Sequence, residues 1–118
     1  MNRPLLSNEL VSSDALKAMA GYHSQLIHEV SSTVASEKVV VIGMAQNPFV
    51  KKAKKALTEE GVTFKYIECG SYLSKWKHRL AIKLWSGWPT FPQVFVDGVL
   101  IGGANDTIRA IKTGRFKN

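Results

Sequence analysis

Hydrophobic positions along this chain recur at two spacings. Between residues 13 and 36, Leu16, Met19, His23, Leu26, Ile27, Val30 and Val34 fall near one face at helical spacing. That pattern predicts a first helix, capped by Ser13 or Asp14 and weakened in its middle by Gly21. The run "KVVVIG" at 38–43 is almost wholly apolar, as in a strand buried on both faces. Residues 48–60 return to helical spacing, with Val50, Ala53 and Leu57 inward and lysines outward, and Gly61 stops the helix. "VTFKYIE" at 62–68 alternates as a strand. Residues 72–87 predict a third helix with Leu73, Trp76, Leu80 and Leu84 on its buried face, ended by Gly87 and Pro89. "PQVFVDGVLIGG" at 92–103 is two short strands around Asp97-Gly98, a strong hairpin signal. A last helix spans 105–114, capped by Asn105 or Asp106, with Ile108 and Ile111 inward and Gly114 closing it.

The order α, β-α-β, α, β-β-α belongs to the α/β class. The β-α-β unit implies parallel strands joined by a right-handed crossover, and the hairpin adds an antiparallel edge. The expected architecture is a four-stranded mixed sheet with helices on both faces. The plausible boundary is at Ser36-Glu37, dividing an N-terminal helical extension, 1–36, from a domain over 37–118. The extension is expected to dock on the domain, because its apolar face needs cover.

Composition narrows the function classes. A chain of 118 residues with 45% apolar and 21% charged residues suits one ordinary globular domain. No run reaches the roughly 18 apolar residues of a membrane span, and "MNRPLLSNELVSS" is a poor signal peptide. Cys69 is the single cysteine, so no internal disulfide can form, and a cytoplasmic location is the expectation. The net charge of +7 gathers in two clusters, Lys51, Lys52, Lys54 and Lys55, then Lys75, Lys77, His78, Arg79 and Lys83. Both read as solvated helix faces. No RNA-binding aromatic signature or zinc pattern accompanies them, so a nucleic-acid partner is not expected. Cys69 with His23, His28 and His78 matches no metal-ligand spacing, and His23 reads as a packed residue.

Two stretches together resemble the glutaredoxins, of the thioredoxin fold, over roughly residues 38–116. "VVVIGMAQNPFVKKAKKAL" is similar to that family's strand, active-site turn and helix, where Cys-Pro-x-Cys is followed by basic residues. "SGWPTFPQVFVDGVLIGG" is similar to the stretch holding the family's cis-proline and Gly-Gly hairpin, most of all in its monothiol branch. The resemblance places Asn47 at the nucleophilic cysteine and Val50 at the resolving one, with Pro48 and Phe49 between them. Met44 falls where the family has an activating lysine, and Gly102, Gly103, Ala104 and Asn105 where it often has Gly-Gly-Cys-Asp. It also implies a cis bond at Phe91-Pro92 and a groove for glutathione or an extended peptide, formed by Met44, Asn47, Pro48, Phe49, Lys51, Thr90, Phe91, Pro92, Gly103, Ala104 and Asn105. Trp85 and Trp88 are expected to border that groove, and Trp76 to lie in the core.

Disulfide exchange needs a thiolate, and asparagine has neither sulfur nor a titratable proton. At position 47 the residue types instead describe a helix start, with Asn as N-cap and Pro at the first helical position. The lysines that follow add cations to a helix terminus that is already positive, which favours an anion there. The leading expectation is therefore a non-catalytic module that binds glutathione, a small anion, a peptide or a protein, with the N-terminal helix as a second docking surface. The alternative is a weak thiol-disulfide oxidoreductase that uses Cys69, with His78 nearby. Iron–sulfur delivery, which the resemblance brings with it, requires a cysteine ligand at the turn, and Asn47 supplies none.

Overall fold

A computed structural model describes residues 6–116. In these residues a four-stranded sheet runs in the order β2-β1-β3-β4. Strand β1 (Val39–Gly43) lies parallel to β2 (Lys65–Glu68) and antiparallel to β3 (Gln93–Val96), which pairs antiparallel with β4 (Val99–Gly102). The β3–β4 turn is the two residues Asp97 and Gly98, with φ of 52° and 80°. That geometry matches the right-handed twist of the strands it joins.

The five residues of β1 are buried, and their side chains divide by parity. Val40 and Ile42 pack with Val30 and Val34 of α2 (Ser24–Ser36) and Ile82 of α4 (Trp76–Ser86). Val39 and Val41 pack on the other face with Leu57 of α3 (Pro48–Glu59) and Ile111 of α5 (Ala104–Lys112). The sheet thus has helices on both sides, as its patterning predicts. Val50, Ala53 and Leu57 form the buried stripe of α3, also as predicted.

Five expectations change. The helix expected over 13–36 is two helices, α1 (Ser13–Gly21) and α2, broken where His23 takes a left-handed φ of 48°. The cap of α1 is Ser12, whose Oγ accepts from the Ala15 amide at 3.1 Å, rather than Ser13 or Asp14. Strand β2 is shorter than 62–68, although Val62, Phe64 and Tyr66 still share one face and pack beside Leu57. The third helix starts at Trp76 and turns its other side inward. Arg79, Ala81 and Ile82 are buried, while Leu73, Trp76, Leu80 and Leu84 are exposed. At the last helix, neither Asn105 nor Asp106 is the cap residue. Gly103 holds that position, and Asp106 Oδ2 reaches back to accept from the Gly103 amide at 2.9 Å.

Two glycines allow close approach at the ends of strands. A Cβ on Gly43 would stand 2.6 Å from Cγ1 of Val50, so the first turn of α3 can press onto the end of β1 because that residue has no side chain. Gly102, at φ 121°, would collide with the Asp106 carboxylate if it carried one.

Candidate functional site

The end of β1 delivers the chain through Met44, Ala45 and Gln46 into α3. Gln46 turns at φ 64°, and Asn47 is extended before Pro48 at the first helical position. The Asn47 side chain is buried, and its Oδ1 accepts from the amides of Phe49 at 2.9 Å and Val50 at 3.1 Å. Two of the amide donors at this helix start are thus satisfied from within. Residues 44–50 of the turn carry no thiol. Val50 is packed in a cluster with Met44, Cys69 and Phe91.

Opposite the turn is the segment before β3. Phe91 is buried, Thr90 is exposed, and the Phe91–Pro92 peptide bond is cis. Between the two lies an open groove of two adjoining clefts that share Phe49, Thr90 and Phe91. One, of about 400 Å³, is lined by Met44 and Asn47 and closed by Tyr72, Arg79 and Lys83. The other, of about 280 Å³, runs along Pro92, Gly103, Ala104 and Asn105 to Trp88. Nine of the residues that the resemblance places at the groove are therefore together, namely Met44, Asn47, Phe49, Thr90, Phe91, Pro92, Gly103, Ala104 and Asn105. Pro48 and Lys51 are exposed on α3 and line neither cleft. Lys83 lines the first cleft, and Lys52, which lines neither, reaches the end of the second through Asn105, to whose Oδ1 its Nζ donates at 3.3 Å.

Trp88 borders the groove as expected, and its indole Nε1 is buried with no hydrogen-bond partner among the described residues. Trp85 does not border it and packs instead on Phe95, with ring centroids 5.5 Å apart. Trp76, expected in the core, is exposed. Arg79, expected on a solvated basic face, is buried. Its Nη1 donates to the carbonyl oxygens of Cys69 at 3.0 Å, Ser71 at 2.7 Å and Ser74 at 2.5 Å. It thereby fixes the loop that carries Tyr72 to the groove. The available signal was a basic residue at the helical spacing of Ile82.

Cys69 is buried, and its amide donates to the Gly43 carbonyl at 2.8 Å. Burial pushes its thiol up, and the charges of Arg79 and Lys75 only partly oppose this. His78 is not its partner, because that ring meets His23 edge-on at 5.1 Å. His23 is half-buried at the α1–α2 break rather than packed on a helix face. No group of three or more His, Cys, Asp or Glu residues that could hold a metal occurs among the described residues. No helix among them is long and apolar enough to cross a membrane.

A pH prediction follows from Cys69 and its neighbour Tyr66, whose phenol is pushed up to about 12 by burial and by Glu68. Both groups keep their protons longer in the folded chain than in the unfolded one. The stability this gives is complete below the ordinary thiol value of 9.0 and is lost as pH rises through the folded values. Urea midpoints are expected to fall steadily above pH 9, with the first part of that fall flattened in Cys69→Ala. A flat profile in the parent protein would overturn this.

Comparison with known proteins bears on the family and the fold. The glutaredoxin family model matches residues 39–101. A glutaredoxin-like protein from Dictyostelium discoideum is 55% identical over 97 residues, which cover 82% of this chain and 79% of that one. Glutaredoxin-C6 from Oryza sativa subsp. japonica is 36% identical over 88 residues, 75% of this chain and 79% of its own. The crystal structure of a wheat glutaredoxin superposes with a TM-score of 0.69 at 35% identity, covering 83% of this chain and 91% of that one. By family match, by relatives and by a shared architecture of sheet, turn and helix, this chain belongs to the glutaredoxin family and has its thioredoxin-like fold.

Proposed function

We propose that this chain is a non-catalytic binding module of the glutaredoxin fold, whose groove takes glutathione or the carboxylate end of an extended peptide. One observation carries the reading. The residue at the turn is used as a helix cap, while an open groove beside it is lined by Met44, Phe49, Thr90, Phe91 and Gly103. An amide locked onto two backbone N–H groups cannot attack a disulfide. Thr90 and Phe91 present an edge along which an extended backbone can lie, a contact that needs no cysteine. Lys52 places a cation at one end for a carboxylate. The burial and raised pKa of Cys69 weigh against a relocated nucleophile. The division into an extension, 1–36, and a domain, 37–118, belongs to the same reading, supported by a family match that begins at residue 39.

The test is a glutathione titration followed by amide NMR. Saturable shifts are expected at Phe49, Phe91, Gly103 and Asn105. Lys52→Glu is expected to weaken the affinity by up to about fivefold, the range of an exposed charge contact, and Lys51→Glu to weaken it less. If those amides stay still at millimolar glutathione and with carboxylate-ended peptides, the groove is scaffold and the proposal fails.

A further inference from the structure

The inward face of α4 is modest: Arg79, Ala81, Ile82 and the half-buried Trp85. The bulk of its apolar volume points the other way. Trp76, Leu80 and Leu84 stand at helical spacing with exposures of 60%, 38% and 63%, and Leu73, in the turn before them, is 98% exposed. A stripe of large apolar side chains on the outside of a helix marks an interaction surface. Its C-terminal end is also concave. Leu84 forms one wall of a mostly apolar pocket of about 300 Å³, with Met19 of α1, Tyr22 of the break after it and Ile27 of α2 on the other side.

Charge narrows what can cover it. Between Glu68 and Asp97 the sequence holds no acidic residue, and Lys75 and Lys77 flank the stripe. On α1, Asp14 is five residues from Met19 and so on a different face of that helix. A second copy of this chain would bring the same lysines together on a molecule whose net charge is already +7. The stripe itself is convex, but the pocket at its Leu84 end is a recess of a size to receive a protruding side chain, which a folded segment supplies. We propose that the Leu73–Leu84 stripe and the pocket beside it dock an amphipathic helix of a partner protein, with an apolar face bordered by Asp and Glu. The stripe is separate from the groove of Phe49, Phe91 and Gly103, so this surface stands or falls independently of glutathione binding.

The probe is a synthetic amphipathic helix of about 14 residues, roughly the length of the stripe, with leucines at helical spacing and glutamate flanks. Its control is the same peptide with lysine flanks. The acidic peptide is expected to bind at least about tenfold tighter than its control, with salt weakening it. Amide shifts are expected at Met19, Trp76, Leu80 and Leu84 and not at Gly103 or Asn105. Leu80→Glu with Leu84→Glu should abolish binding. Lys77→Glu, an exposed change that leaves the apolar stripe in place, should weaken it several-fold and keeps the test open if the double variant misfolds. Equal or absent affinity for the two peptides would overturn the proposal. So would cosedimentation with phosphatidylserine vesicles in place of peptide binding, or a dimer that Leu84→Glu dissolves.

Discussion

Replacing Arg79 by methionine is expected to cost about 2–4 kcal/mol of folding stability, the largest loss foreseen for a single polar residue here. Methionine keeps much of the arginine's length but donates nothing, and three carbonyls, of Cys69, Ser71 and Ser74, lose their common partner. The cost is that of unmaking charge-assisted bonds at a residue only 8% exposed. Chemical denaturation measures it. Hydrogen exchange should also show the Gly70–Ser74 loop opening ahead of the rest of the chain. A loss below about 0.5 kcal/mol, the range of ordinary surface substitutions, would mean that the loop is held by its own turn and the Ser71 and Ser74 hydroxyls.

Asn47→Cys is expected to change chemistry rather than stability. A thiolate at position 47 would meet the two amides, of Phe49 and Val50, that now donate to the asparagine oxygen. With the positive end of α3 behind them, these donors favour the ionised sulfur. Alkylation of the new thiol should show a pH midpoint about one to two units below the ordinary thiol value of 9.0. Buried Cys69 should remain unlabelled in the native protein, as read by peptide mass. The variant should also acquire exchange with glutathione mixed disulfides. An ordinary midpoint would mean that the helix start at this turn exerts no pull on a charge. A depressed midpoint without exchange would mean that the groove rejects glutathione, and it would count against the proposed ligand.

Much of the sheet was legible because its signals are local and redundant. "VVVIG" reads as a doubly covered strand, Asp97-Gly98 permits the positive φ values of a tight hairpin, and Asn47-Pro48 starts a helix whatever lies around it. The turn and the segment around Pro92 are far apart in sequence, and only the resemblance brought them to one groove. The failures share a cause. Periodicity shows that a helix has an apolar face but not which face the fold covers. On and just before α4 the larger stripe, Leu73 to Leu84, has the spacing of an inner face but lies outside, and Arg79, in a basic run, lies inside. The break at His23 was missed because a left-handed histidine has no composition signal beyond the neighbouring Gly21. Lys52 rather than Lys51 reaches Asn105 because a one-residue step turns a helical side chain by about 100°.

The cap at Asn47 also determines what this turn can respond to. A thiol in that place would change state with the ratio of oxidised to reduced partners around it, so its occupancy would follow a potential. A carboxamide has one state across the whole physiological range of oxidants. On the proposed function, whatever settles against this helix start is held by mass action alone, and the turn responds to the amount of a ligand rather than to how oxidised that ligand is.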